Sequence, residues 1–324
     1  MKNYLILLII LYSQISVANS DDDRLFPEIP LYFSKAEKIN EFTTRIPFKT
    51  ISLSTNLKGI LNDKKGNFII DTGSEALILN KVHFKTYRFN YEKKGETSGI
   101  LSSVDNPIEK TIKNISFDNL NLKNKNSDVV DLSHIEKSKK IKLLGIIGYA
   151  ILKDYEVFVD LYLNQITLSK VDKSGFKLSK EGYLETIVDS INFTLKKHTI
   201  VLEAIINKQK VTFGLDTGAE FNQINSRINK KVLKHFYPKK RIQLTGASSK
   251  KIEVLYGDLH RVKLTDKIYF GPMKTIITNL NNMNKAFGTN LDGILGHDFF
   301  AQKRVIINYQ KEKLYFIKYP FIRE

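Results

Sequence analysis

Cysteine is absent from the 324 residues. That excludes a disulfide scaffold, a thiol nucleophile, a thiolate-held zinc or iron–sulfur centre and a lipid-modified N-terminal cysteine. Histidine is scarce. His83, His134, His198, His235, His260 and His297 form no HExxH or other close pair, so no metal site is expected. No G-x-S-x-G elbow and no phosphate loop is present, and no cofactor is expected. Acidic residues are in deficit, 34 against 51 Lys+Arg, for a formal charge of +17. The surplus is scattered as pairs such as Lys64-Lys65, Lys139-Lys140 and Lys250-Lys251, the pattern of solvated turns and helix faces. It forms no basic stripe interleaved with aromatics, so nucleic acid is not an expected partner. What remains, 42% apolar and 26% charged, is the balance of a folded chain long enough for two modest lobes.

One apolar run stands out. Met1-Lys2-Asn3 carries a positive charge, Tyr4 to Tyr12 is continuously apolar, and Ser16-Val17-Ala18 is a small-x-small site. These are the parts of a Sec-type signal peptide over 1–18. The run is well short of the roughly 20 residues that cross a bilayer. The expected product is exported, periplasmic or extracellular, and starts near Asn19. It has no stable membrane insertion after cleavage.

The chain repeats itself. Residues 60–80 read ILNDKKGNFIIDTGSEALILN and residues 205–225 read IINKQKVTFGLDTGAEFNQIN, with nine of 21 positions identical. A second block follows in each copy, LLGIIGYAILKDYEVFVDLYLNQITL at 143–168 and LDGILGHDFFAQKRVIINYQKEKLYF at 291–316. The spacing from Asp71 to Gly145 is 74 residues, and from Asp216 to Gly293 it is 77. Two blocks in one order at nearly one spacing indicate two copies of a structural unit. The copies are placed at 46–170 and 190–318. A segment at 19–45 precedes them, a linker at 171–189 joins them and a tail at 319–324 follows. Residues 24–45 read equally as a strand of the sheet between the copies, a linker or a propeptide.

The secondary structure reads as mostly β. Strands are expected at Ile51–Leu61 and Asn67–Ile70, at Thr199–Ile206 and Val211–Leu215, and as hairpins at Val157–Leu161/Gln165–Ser169 and Val305–Tyr309/Lys313–Ile317. Short helices are expected at Tyr149–Asp154 and His297–Lys303. A longer amphipathic helix is expected at Ser226–Phe236, ended by Pro238.

Asp-Thr-Gly occurs twice, at 71–73 and 216–218, each time after an apolar strand and at matching points of the duplication. An aspartate there sits at the floor of its lobe. The glycine permits a tight turn. The threonine hydroxyl can reach the opposite lobe's backbone and lock the two loops. Two carboxylates brought face to face cannot both ionise and share one proton. The ionised one then acts as general base on water, and the protonated one polarises a carbonyl.

With Phe68-Ile69-Ile70-Asp71-Thr72-Gly73-Ser74 and Ile146-Ile147-Gly148 in one half, and Phe213-Gly214-Leu215-Asp216-Thr217-Gly218-Ala219 and Ile294-Leu295-Gly296 in the other, the chain resembles the retropepsin/pepsin-type aspartic peptidases. It looks most like the bacterial exported retropepsin-like proteins, with two lobes fused in one polypeptide. The resemblance implies an all-β bilobal acid-protease fold with pseudo-twofold symmetry. It implies catalysis by Asp71 and Asp216, a peptide or protein substrate, and a monomer. It also implies a flap hairpin 25–30 residues after each aspartate. Thr97–Ser103, including Ser98, Gly99 and Ile100, and Thr245–Ser249, including Gly246, Ala247 and Ser248, occupy that spacing. Neither contains the tyrosine typical of a pepsin flap.

The halves differ at one telling position. Ser74 offers a hydroxyl near Asp71, where Ala219 offers none near Asp216, so Asp71 is expected to be the ionised member. Glu75 and Glu220 follow the motif and read as loop structure, with substrate contact the alternative. Asp160, its counterpart Asn308, and His297-Asp298 read as hairpin and helix-cap residues. Two other activities stay open on sequence alone: a catalytically weak peptide- or protein-binding member of the fold, and a hydrolase for a non-protein amide.

Overall fold

The computed structural model describes residues 12–13, 35–84, 97–98, 103–104, 108–179, 185–245 and 251–320. Strand accounts for 55% and helix for 12%, which makes the chain mostly β, as its alternating apolar runs require.

In the first half six strands close on themselves. Ile108–Phe117 pairs with Leu120–Val130, then follow Leu77–Asn80, Leu143–Ile147, Lys64–Ile70 and Ser54–Leu61. Leu61 and Ile60 pair back onto Ile115 and Ser116, so the six strands form a barrel. Within it the strand ending at Ile70 runs parallel to Leu143–Ile147, and that strand runs antiparallel to Leu77–Asn80. The second half has the same connections. Gln209–Leu215 is parallel to Gly293–Leu295, which is antiparallel to Asn222–Asn225, itself parallel to Met273–Thr278. Here the closing strand is interrupted. Lys251–Leu259 stops, Arg261 adopts φ 54°, and Val262–Lys263 resumes to pair Lys263 with Ile205.

Two-residue turns set the hairpins. Asn62-Asp63 and Asn207-Lys208 both have positive φ at both positions, the geometry that matches strand twist. A further turn at Ser52-Leu53, also with positive φ, splits the single strand expected over Ile51–Leu61 into Lys49–Ile51 and Ser54–Leu61.

A seven-stranded antiparallel sheet joins the halves. Its order is Ile187–Asn192, Lys313–Ile317, Arg304–Asn308, Tyr155–Asp160, Gln165–Lys170, Thr43–Pro47 and Glu37–Asn40. The junction is the pairing of Tyr155–Asp160 with Arg304–Asn308, so each half contributes one of the expected hairpins. Residues 37–47 are therefore strands of this sheet. The sheet packs into a continuous core that includes Phe68, Phe213, Phe299 and Phe316, and Phe158 packs with Ile306 and Ile317 in a separate buried cluster.

The short helices are present at Tyr149–Leu152 and His297–Gln302, each after its glycine. The expected helix at Ser226–Phe236 is not. Only Lys230–Leu233 is helical, capped by the Asn229 side chain on the Lys231 amide, and Phe236–Thr245 is a strand. Pro238 does not stop a helix. It sits where the register slips between Pro238 and Lys240, a bulge at which its missing N–H costs no ladder bond. Two helices not read from sequence, Ser133–Lys139 and Asn281–Phe287, precede the equivalent strands Leu143–Ile147 and Gly293–Leu295. Of the expected signal segment 1–18, only the backbone of Tyr12–Ser13 is described, paired with Leu244 and Thr245. No helix among the described residues is long and apolar enough to cross a membrane.

Candidate active site

Each aspartate is delivered by a buried strand that ends one residue earlier. Ile70 and Leu215 are 1% exposed, and the amides of Asp71 and Asp216 donate to Ile147 O and Leu295 O of the neighbouring parallel strands. The strand partner thus fixes where the carboxylate leaves the sheet. Asp71 Oδ1 then accepts from the amides of Gly73 (2.8 Å) and Ser74 (3.0 Å), and Asp216 Oδ1 from Gly218 (2.8 Å).

The two loops interlock through their threonines. The Thr72 amide donates to Thr217 Oγ1 and the Thr217 amide to Thr72 Oγ1, both at 3.0 Å. Each hydroxyl passes its own proton to the opposite half, Thr72 Oγ1 to Leu215 O at 3.2 Å and Thr217 Oγ1 to Ile70 O at 2.9 Å. Both donors and both acceptors are buried, so the four bonds satisfy groups that would otherwise be stranded. The cross-link expected of the threonines is present.

The cross-link brings Asp71 and Asp216 together. Each carboxyl is close enough to shift the other's proton affinity, and neither buried Oδ2 atom has a hydrogen-bond partner among the described residues. The close approach depends on Gly218, where a Cβ would lie 2.6 Å from Asp71 Cγ. Burial pushes Asp71 well above the ordinary carboxylate range. The neighbouring Asp216 charge adds to the rise, and the Gly73 and Ser74 amides oppose it. Burial raises Asp216 to about 6, restrained by the neighbouring Asp71 and by backbone amides. Two carboxyls this buried and this close do not readily ionise together.

The geometry removes the basis on which the ionised member of the pair was expected to be Asp71. The Ser74 hydroxyl does not face the Asp71 carboxylate but donates to Ala76 O at 3.3 Å. Its stabilising effect on an ionised Asp71 is thereby lost.

Behind the motif the halves diverge. Glu220 is 2% exposed and accepts from Lys139 Nζ at 2.6 Å; Lys139, itself 3% exposed, also donates to Ser52 O. Lys139 is thus not on a solvated face, as its pairing with Lys140 suggested. The cost of burying its charge is offset by an ion pair across the halves. Glu75, the counterpart of Glu220, faces His198 instead, with Oε2 3.8 Å from Nδ1. Asp160 keeps its hairpin role, accepting from Leu163 N, but its other oxygen binds Arg304. Asp298 accepts from the Lys274 amide at 2.7 Å. Tyr309 is buried with no hydrogen-bond partner for its hydroxyl among the described residues, edge-on to Tyr149, and its pKa is raised by burial and by the charges of Tyr149 and both aspartates.

Of the candidate flaps, Ser98 lies in Thr97–Ser98, whose backbone pairs antiparallel with Ser103–Val104. Gly99, Ile100, Gly246, Ala247 and Ser248 fall outside the described residues. The strands on either side of 246–250 pair from Phe236↔Leu259 to Thr245↔Lys251. Lys139, His198, Arg304 and Tyr309 were not singled out by motif or spacing.

Compared with protein-family models and with curated proteins, the chain matches none.

Proposed function

We propose that this chain is an exported aspartic endopeptidase of bilobal acid-protease architecture, its two halves related by a pseudo-twofold axis through the Asp-Thr-Gly loops. The observation that carries the reading is the pair of buried carboxyls, Asp71 and Asp216, brought together beside a reciprocal threonine cross-link. The matching strand order of the halves and the pairing of their hairpins support the architecture.

In this reading the singly protonated pair binds a water between its outer oxygens. The ionised carboxylate removes a proton from the water as it attacks the scissile carbonyl, and the protonated carboxyl donates its proton toward the carbonyl oxygen. The tetrahedral species collapses as the amide nitrogen is protonated, and the pair returns to one proton. An extended peptide lies across the loops.

The test is cleavage of an unstructured protein across pH 3–8, with and without a statine-type transition-state mimic, for wild type and Asp71→Asn. Wild-type cleavage blocked by the mimic and abolished in the variant supports the assignment. Cleavage that survives in D71N rejects it. Tight binding of the mimic with no cleavage at any pH assigns the chain to the peptide-binding members of the fold.

A further inference from the structure

The two motif loops are anchored in different ways. In the first half two successive carbonyls are bound by the short helix that follows, Ser74 O by the Tyr149 amide at 2.8 Å and Glu75 O by the Ala150 amide at 2.9 Å. In the second half the His297 amide binds Ala219 O at 2.9 Å, and the next residue, Glu220, turns its side chain across to the other half. There its Oε1 meets Lys139 Nζ at 2.6 Å, with both side chains sealed from solvent. Lys139 closes helix Ser133–Lys139 and also donates to Ser52 O at 3.2 Å. Beside that carbonyl, Leu53 packs against the apolar cluster that holds Ala219 and Phe221, the two chain neighbours of Glu220. The first half thus grips the second half's loop on both sides of one residue.

The clasp is one-sided. The corresponding helix Asn281–Phe287 ends on Phe287, whose ring lies edge-on to His198 at 5.4 Å, and the glutamate on that side, Glu75, has a side chain 42% exposed. Replacing a buried ion pair by apolar side chains is often neutral or stabilising, so stability alone does not account for the pair. What it fixes lies at the start of the same loop. The Ala219 amide closes the turn on Asp216 O at 3.3 Å, and the Gly218 amide holds Asp216 Oδ1 at 2.8 Å. Gly218 is pressed against the other carboxyl, its Cβ position 2.6 Å from Asp71 Cγ. A loop that slackens at Glu220 therefore shifts Gly218, and with it the spacing of the two carboxyls.

We propose that Lys139 is a positioning residue for Asp216, supplied by the first half to hold the second half's motif loop against Asp71. It acts through Glu220 and the Gly218 turn. The proposal rests on the aspartic-dyad reading and adds to it that the second aspartate is placed by a side chain of the opposite half.

The test compares wild type, Lys139→Met/Glu220→Gln and Glu220→Asp. The K139M/E220Q protein strands no charge, so its urea midpoint stays close to that of wild type. Its kcat falls about tenfold or more while KM holds within about threefold, the signature of a misplaced reacting group and not of lost binding. E220D keeps both charges but shortens the reach by one methylene, and lowers kcat likewise with the fold intact. In both variants the two steps of the dyad's carboxyl titration, followed by 13C NMR, draw together as the carboxyls separate. A merely structural pair would move the urea midpoint alone. A folded K139M/E220Q protein with wild-type kcat and wild-type titration overturns the proposal. If that variant does not fold, E220D with both properties unchanged overturns it. A wild type that cleaves nothing defeats the peptidase reading alone, because the NMR titration still decides the positioning.

Discussion

Arg304 and Asp160 meet across the junction of the two halves, with Nε at 3.0 Å and Nη2 at 2.7 Å from Asp160 Oδ2. Both are buried, and Arg304 also binds Glu185 through two bonds and Lys318 O through one. On the duplication's 148-residue offset (293 minus 145), Arg304 corresponds to Glu156 and Asp160 to Asn308. Asn308 in turn donates to Glu156 at 3.1 Å. The two corresponding positions thus hold an ion pair on one side and an amide–carboxylate bond on the other.

Removing the cation leaves Asp160 and Glu185 without their common partner. Arg304→Met is expected to destabilise the fold by about 3–5 kcal/mol in urea unfolding. Adding Asp160→Asn and Glu185→Gln recovers a large part of that, because most of the loss is stranded charge. A single variant within 1 kcal/mol of wild type, on the order of a solvated pair, removes the argument.

The threonine cross-link makes a second expectation. Thr72→Val deletes the acceptor of the Thr217 amide and the donor to Leu215 O, both buried. Each stranded group costs about 1–3 kcal/mol. Thr72→Ser keeps the hydroxyl and is expected to stay within about 1 kcal/mol of wild type. The T72V/T217V double variant should cost less than the sum of the single variants, since the four bonds form one network. Strict additivity in the cycle would mean that the two loops are anchored separately.

What the sequence makes legible follows from where backbone geometry is tight. Gly218 abuts the Asp71 carboxyl, and Gly148 and Gly296 abut the carbonyls of the motif loops. Such positions tolerate one residue type, so the two copies still match there and betray the site. Partners of buried charge leave no such mark. Lys139 lies 81 residues from Glu220, and Arg304 144 residues from Asp160. Nothing local distinguishes Lys139 from the solvated Lys140 beside it. The misread helix at Ser226–Phe236 has a similar origin. Ile228, Val232 and Phe236 have helical spacing and are buried, but they face the core from a turn, a single helical turn and a strand in succession.

The glycine next to the dyad gives a sharp contrast. In Gly218→Ala the new methyl would sit 2.6 Å from Asp71 Cγ and 2.8–2.9 Å from its oxygens. Asp71 is pinned by two amides, so the carboxyls must separate and the shared proton is lost. Activity is expected to fall by about a hundredfold or more, the scale at which misplacing a reacting group by an ångström is felt. Gly288→Ala serves as a control. Nothing lies within 4 Å of its Cβ, and only its φ of +66° resists, at about 1 kcal/mol. That variant should lose stability and keep its rate. Equal rates for G218A and wild type would show that the carboxyls need not touch.

Stability and pH are linked here through two opposing groups. Burial lowers His198 from 6.5 to about 4, so between those values the unfolded chain binds the extra proton. Its contribution is intact above pH 6.5 and is lost progressively as pH falls toward 4, by up to about 3 kcal/mol. Asp216 acts in the other sense. Its pKa is raised from 3.8 to about 6, so it destabilises the fold as pH rises through that interval. Two variants separate the contributions. His198→Gln flattens the fall on the acid side, and Asp216→Asn, which needs no ionisation, raises stability at pH 7 by on the order of 2–3 kcal/mol while abolishing hydrolysis. Urea midpoints at pH 4, 5.5 and 7 read both. An Asp216→Asn protein less stable than wild type at pH 7 would mean that the carboxylate's hydrogen bonds outweigh its burial, and that the dyad is not held against an electrostatic cost.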